Sequence, residues 1–215
     1  MREKIINAVA ENKLIVIVRG VAREDLIPLG EALYAGGVRL MEITYDATGK
    51  TPDSETAENI KMLVEHFENR MFIGTGTVLR AEQVDLTAKA GGGFIISPDV
   101  SSEVITKTRE LGLVSMPGAL TPTEAQTAHK LGADFVKLFP VTSLGAEYVK
   151  ALRAPLSHIK FLAVGGVGLD NMKDYLVAGI SGFGIGGSLV NRTLIRDGKF
   201  DEITALAKKY TEILI

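Results

Sequence analysis

The chain has 215 residues and a formal net charge of −2, so no basic surplus indicates nucleic acid or an anionic membrane as a partner. Cysteine is absent, which excludes a disulfide framework, a thiolate metal site and a cysteine nucleophile. No apolar run is long enough to span a bilayer, and the polar, mixed-charge segment Met1–Ile5 is unlike the start of a signal peptide. We therefore expect a cytoplasmic protein that forms a single domain over residues 1–215.

Short apolar runs, typical of buried parallel strands, alternate along the chain with segments of helical spacing. Strands are predicted at Leu14–Val18, Val38–Thr44, Met71–Gly74, Phe94–Ile96, Leu113–Met116, Phe135–Phe139, Lys160–Val164 and Ser181–Ile185. Helices are predicted at Arg2–Glu11, Glu24–Ala35, Glu55–Phe67, Ala81–Ala90, Ser102–Leu111, Thr121–Leu131, Ala146–Leu152, Asp170–Ala178 and Phe200–Leu214. This alternation predicts an α/β fold, a single compact (β/α)8 TIM barrel with a short N-terminal helix. A doubly wound open sheet has the same alternation and is the alternative.

Polar and glycine residues collect just after or at the ends of the predicted strands, where the active site of a (β/α)8 barrel lies. The set comprises Arg19, Glu42, Thr77, Ser97, Pro98, Lys137, Gly165, Gly166, Gly187 and Ser188. Each residue is a weak indication by itself, whereas their shared position indicates one site.

Lys137 interrupts the apolar run Phe135–Phe139, although lysine is among the residues least often buried. It could pair with a carboxylate or reach solvent at the end of the strand. Alternatively, apolar surroundings lower the pKa of its amine and leave a neutral nucleophile that attacks a carbonyl carbon.

Glu42 interrupts a second strand, on the face that it shares with Leu40 and Thr44. It could form a structural ion pair, even with Lys137. It could also be a general acid–base whose pKa is raised by burial. A buried carboxylate beside a buried amine suits Schiff-base chemistry, in which protons must be moved to and from the substrate.

Glycines follow the last two predicted strands, at Gly165-Gly166 and Gly187, the latter followed by Ser188. They could form tight turns only, or present backbone N–H groups to a phosphate, as is common in these barrels. The histidines, His66, His129 and His158, fall within or beside predicted helices and form no metal-ligand pattern.

Seven short motifs are spread over nearly the whole chain. They are GGVRLMEIT at 36–44, GTGTVL at 74–79, ISP at 96–98, PG at 117–118, FVKLFP at 135–140, GGV at 165–167 and GGS at 186–188. Together they resemble the family of 2-keto-3-deoxy-6-phosphogluconate (KDPG) and 4-hydroxy-2-oxoglutarate (KHG) aldolases.

The resemblance implies that Lys137 forms the Schiff base, that Glu42 is the general acid–base and that Thr77 binds the pyruvate carboxylate. Pro98 and Phe139 would line the pyruvyl pocket. The implied phosphate ligands are Gly165, Gly166, Gly187 and Ser188. The family's chemistry needs no metal or organic cofactor, and its members resemble one another in forming homotrimers.

Two positions depart from the family pattern. Asp46 stands where many members carry an arginine that binds the substrate carboxylate, and Arg19 or Lys50 could replace that arginine. Val164 stands where phosphogluconate-type members often have threonine. Arg19 and Val164 look more like relatives that cleave the C4 epimer, 2-keto-3-deoxy-6-phosphogalactonate.

The predicted function is a class I aldolase that cleaves a 2-keto-4-hydroxy acid, phosphorylated at C6 in the KDPG case, to pyruvate and an aldehyde. The same chemistry on the galactonate epimer is the nearest alternative. A phosphosugar isomerase or epimerase, in which Lys137 acts electrostatically, and a ligand-binding barrel without catalysis are more distant ones.

Overall fold

The computed structural model describes residues 1–214, in which nine strands and ten helices follow one another, one strand and one helix more than the sequence predicts. The strands are β1 (Leu14–Val18), β2 (Leu40–Thr44), β3 (Phe72–Gly76), β4 (Phe94–Ile96), β5 (Val114–Met116), β6 (Gly118–Ala119), β7 (Val136–Leu138), β8 (Phe161–Val164) and β9 (Gly182–Ile185). The helices are α1 (Arg2–Asn12), α2 (Arg23–Ala35), α3 (Asp53–Phe67), α4 (Ala81–Lys89), α5 (Ser102–Glu110), α6 (Pro122–Lys130), α7 (Gly145–Arg153), α8 (Met172–Val177), α9 (Arg192–Arg196) and α10 (Phe200–Ile213).

All strand pairs are parallel, and the strands lie in the order β5-β4-β3-β2-β1-β9-β8-β7-β6. The two outermost strands of this order are separated in sequence by Pro117 alone. Residues in and just before β7 form hydrogen bonds to the backbone of β5 and of Pro117. Asp134 N–H donates to the Ser115 carbonyl and Lys137 N–H to the Pro117 carbonyl, each at 2.9 Å. The sheet therefore curls round to form the predicted barrel, and the open-sheet alternative is wrong.

The fifth strand differs from the prediction because it continues past Met116 as the separate strand β6. Proline has no N–H, so Pro117 cannot donate to a neighbouring strand and the ladder is interrupted there. The five-residue helix α9 was also not predicted. The side chain of Asn191 caps it by accepting hydrogen bonds from the N–H groups of Thr193 and Leu194.

Strand side chains alternate between the barrel interior and the layer beneath the helices. Leu40 belongs to an interior cluster, whereas Met41 and Ile43 pack in the outer cluster, as predicted. Helix α1 extends the interior cluster with Ile5, Ala8 and Val9.

Helix α1 covers the N-terminal end of the barrel. Its Ile5 side chain fills the space beside Gly93, just before β4, and Arg2 forms an ion pair with Asp134, just before β7. The open end of the barrel is therefore the one at the carboxyl ends of the strands.

No helix within residues 1–214 has the length and apolar character needed to cross a membrane.

Candidate active site

A cavity of about 760 Å³ opens at the carboxyl ends of the strands. Most of the predicted site residues line it, namely Arg19, Glu42, Thr77, Pro98, Lys137, Phe139, Val164, Gly165, Gly166, Gly187 and Ser188. Ser97, which the sequence also places at a strand end, is buried and lies outside the lining. The structure thus gathers into one space residues that lie in or just after seven strands, β1, β2, β3, β4, β7, β8 and β9.

Lys137 points into the barrel because its neighbours in β7, Val136 and Leu138, occupy the outer cluster. Its side chain is buried, and its ammonium nitrogen lies 4.7 Å from the centre of the Phe139 ring. Desolvation lowers the pKa of the Lys137 amine, the positive charge of Arg19 lowers it further, and the carboxylate of Glu42 partly opposes both. The amine is therefore more readily neutral than an exposed lysine.

Glu42 enters the same space from β2, and only 2% of the residue is exposed. Burial raises the pKa of its carboxyl to about 7, although the charges of Lys137 and Arg19 favour ionisation. Its Oε2 atom has no hydrogen-bond partner within the described part of the chain. Glu42 and Lys137 form no direct salt bridge, so the structural ion pair that the sequence left open is not present.

Arg19, at the end of β1, is held at the cavity by a hydrogen bond from its Nη2 to the Thr77 hydroxyl, at 2.8 Å. Thr77 follows β3 with φ of +56°, in the left-handed region that non-glycine residues rarely adopt. The guanidinium of Arg192 donates a hydrogen bond to the carbonyl oxygen of Arg19 at 3.3 Å and so supports the backbone at Arg19. A cation and a hydroxyl consequently lie side by side at one wall of the cavity.

Asp46, which stands in place of the family's arginine, lies outside the lining of this cavity. Its carboxylate instead closes its own loop, accepting hydrogen bonds from the N–H and hydroxyl of Thr48 and from the N–H of Thr51. These bonds lower the pKa of Asp46 to about 2. Lys50 does not line the cavity either, which leaves Arg19 as the cation at this wall.

Four residues near the site were missed in the sequence. Gly76 lies against the Glu42 carboxylate, Asp170 lines the cavity, and Thr142 and Asn171 bond to the glycine turn after β8. Asn171 stands just before α8, and an asparagine in that position of a sequence indicates only the start of a helix.

Within residues 1–214 no three histidine, cysteine, aspartate or glutamate side chains are grouped so as to hold a metal ion. His129 and His158 form an edge-to-face pair whose ring centres are 4.9 Å apart, and His66 contacts Glu31. All three histidines lie outside the lining of the cavity.

A family model described as KDPG and KHG aldolase matches residues 5–206. The chain belongs to the KDPG and KHG aldolase family. This confirms the resemblance seen in the sequence motifs and places the protein among the lyases.

Two relatives of this aldolase illustrate the match. The 2-dehydro-3-deoxy-6-phosphogalactonate aldolase of Escherichia coli (strain K12) is 35% identical over 200 residues, which is 93% of this chain and 95% of the relative. The 2-dehydro-3-deoxy-phosphogluconate aldolase of Haemophilus influenzae is 30% identical over 214 residues, which is 99% of this chain and 97% of the relative. Both substrate types considered in the sequence analysis thus occur among the relatives.

The solved structure of the KDPG aldolase from Legionella pneumophila superposes on this aldolase with a TM-score of 0.84 at 27% identity. The match covers 94% of this chain and 96% of that chain. That structure contains pyruvate captured at low pH as a covalent carbinolamine intermediate.

Proposed function

We propose that the protein is a class I aldolase that cleaves KDPG, KHG or both to pyruvate and an aldehyde. The observation that carries the proposal is the pairing of Lys137 and Glu42 in one cavity. Burial lowers the pKa of the amine, which favours nucleophilic attack by Lys137. Burial raises the pKa of the Glu42 carboxyl to about 7, which suits proton exchange near neutral pH.

The neutral Lys137 amine attacks the C2 carbonyl carbon of the substrate and forms a carbinolamine. Loss of water from the carbinolamine gives a protonated imine. Glu42, directly or through water, accepts the proton of the C4 hydroxyl. The C3–C4 bond then breaks, its electron pair moves towards the imine nitrogen, and the aldehyde leaves. The resulting enamine is protonated at C3 by the acid form of Glu42, and hydrolysis releases pyruvate and Lys137.

The same cavity supplies groups for the two ends of the substrate. Arg19 and the hydroxyl of Thr77 suit the carboxylate, because guanidinium and hydroxyl groups both donate hydrogen bonds to carboxylate oxygens. Pro98 and Phe139 provide apolar walls beside the pyruvyl carbon atoms. The phosphate of KDPG would lie at the glycine turns, against Gly165, Gly166, Gly187 and Ser188.

The C4 epimer, 2-keto-3-deoxy-6-phosphogalactonate, is a second candidate substrate. Its support is the presence of Arg19 and of the apolar Val164 side chain in the cavity, where a threonine would offer a hydroxyl. Comparing turnover of the two epimers by release of pyruvate distinguishes these candidates.

Borohydride trapping with pyruvate, followed by peptide mass spectrometry, tests the proposed chemistry. We expect a reduced pyruvyl adduct on Lys137 and none in Lys137→Ala, which should also have no turnover. A folded wild-type protein without the adduct would reject the aldolase and favour the phosphosugar isomerase or a ligand-binding barrel.

We propose further that the protein acts as a homotrimer on a small keto acid and without a metal or organic cofactor. Light scattering should give about three times the subunit mass of 23.0 kDa, and a chelator should leave turnover unchanged. A cytoplasmic location stays a prediction of the sequence.

A further inference from the structure

The glycine turn that follows β8, residues 165–168, forms hydrogen bonds with two side chains, those of Thr142 and Asn171. The Thr142 hydroxyl donates a hydrogen bond to the carbonyl oxygen of Gly165 at 2.9 Å. The Asn171 side-chain amide donates to the carbonyl oxygen of Gly166 and accepts from the N–H of Gly168, both at 2.9 Å. Side chains from the loops after β7 and before α8 therefore hold three backbone polar groups of one turn.

These bonds fix the direction of two free N–H groups. In a trans peptide the carbonyl of one residue and the N–H of the next point in opposite directions. The carbonyls of Gly165 and Gly166 face the two side chains, so the N–H groups of Gly166 and Val167 point away from them. Neither N–H has an acceptor within residues 1–214, and both residues line the substrate cavity.

The backbone conformation of the turn depends on glycine. Gly165 and Gly166 have φ of +87° and +76°. A Cβ at Gly166 would lie 2.1 Å from the Thr142 hydroxyl oxygen, so no side chain fits between them. Successive N–H groups in such a turn form a concave site that suits an anion.

We infer that Thr142 and Asn171 are positioning residues for the substrate phosphate, because they turn the N–H groups of Gly166 and Val167 towards it. The inference rests on the phosphate site proposed above. Neither side chain needs to touch the phosphate, since each acts through a carbonyl on the far side of the same peptide group.

The variant Thr142→Val tests this role because valine keeps the shape of threonine and removes its hydroxyl donor. We expect kcat/KM for KDPG, relative to that for unphosphorylated KHG, to fall about five-fold through a higher KM for KDPG. Thr142→Ser retains the donor and should restore the ratio. Thr127→Val is a matched control, since Thr127 also donates to a carbonyl, that of Thr123, but on helix α6 away from the cavity.

A parallel loss for both substrates in Thr142→Val would indicate a general structural effect and overturn the inference. An unchanged ratio in a protein that prefers KDPG would also overturn it and leave the aldolase proposal intact. A wild type that does not prefer KDPG would reject the phosphate site itself, while adduct formation at Lys137 reports separately on the chemistry.

Thermal stabilisation by inorganic phosphate gives a second measurement that does not need turnover. We expect phosphate to raise the Tm of the wild type and of Thr142→Ser, and to do so less in Thr142→Val and in Asn171→Ala. Equal shifts in all four proteins would overturn the inference.

Discussion

The carboxylate of Glu42 lies directly over the α-carbon of Gly76, so close that a Cβ added to Gly76 would be 1.5 Å from Oε1. Gly76 is the last residue of β3, and Glu42 stands in the neighbouring strand β2. The glycine therefore provides the space in which the proposed general acid–base is held.

Gly76→Ala should accordingly displace the Glu42 carboxylate and lower kcat by about 10²-fold or more, within the range for loss of a general acid–base. Lys137 should still form the pyruvyl adduct, because the three atoms nearest to the added methyl group all belong to Glu42. The double variant with Glu42→Gln should be no slower than Glu42→Gln alone, since both changes remove the same group. Additive losses in steady-state kinetics would contradict this relationship.

The stability of the protein should depend on pH through Glu42. Its pKa is raised from 4.5 to about 7, so the folded state binds this proton more tightly than the unfolded state. The contribution of the Glu42 proton to the free energy of unfolding is fully present below pH 4.5. It is lost as pH rises through about 7, which lowers the free energy of unfolding by roughly 3 kcal/mol. Glutamine cannot ionise and does not show this loss.

Glu42→Gln should therefore gain stability relative to the wild type between pH 5 and pH 8, by about 1–3 kcal/mol in urea unfolding. Loss of the attraction to Lys137 makes the gain smaller. Glu124→Gln is a control of opposite sign, because hydrogen bonds from the backbone at Leu120 and Thr121 lower the pKa of Glu124. A difference between Glu42→Gln and wild type that does not vary with pH would refute the assignment.

Arg19, rather than Lys50, should bind the substrate carboxylate. Arg19→Met removes the cation that lines the cavity, and we expect KM for the keto acid to rise about ten-fold or more. Lys50→Met is the matched control, because Lys50 lies outside the cavity lining, and it should behave like wild type. The reverse result would make Lys50 the carboxylate ligand and require its loop to close over the site.

Asp170 should weaken phosphate binding, since its exposed carboxylate lines the cavity beside Gly166 and Gly168. Asp170→Asn removes a like charge, and we expect KM for KDPG to fall by about two- to five-fold at low salt and less at high salt. Asp174→Asn removes an exposed charge from the neighbouring helix α8, away from the cavity lining, and should have a smaller effect. A KM for KDPG that rises in Asp170→Asn would show that the carboxylate assists binding.

The barrel and the positions of the site residues could be predicted because they depend on local patterns. A strand has a period of two, so the interior direction of Glu42 follows from its neighbours Met41 and Ile43. The general rule that barrel sites lie at the carboxyl ends of strands then brings Glu42 and Lys137 together. Neither step requires knowledge of distances between remote residues.

The features that were missed depend on contacts between such remote residues. Gly76 looks like any glycine at a strand end until the position of the Glu42 carboxylate is known. The sequence marks Asp46 as a departure from the family pattern, but its position does not reveal that its loop turns back and satisfies its oxygens at Thr48 and Thr51. Side chains that act through the backbone leave little signal in a sequence.

The position of β1 between β2 and β9 has a consequence for how the chain reaches this shape. Leu14 and Phe183 are partners in adjacent strands, so one edge of the first strand stays unpaired until the last strand has been synthesised. Exposed strand edges invite pairing with other chains. A nascent chain that stalls before residue 182 would leave both β1 and β8 exposed in this way, so aggregation of truncated chains is expected to depend on a single missing strand.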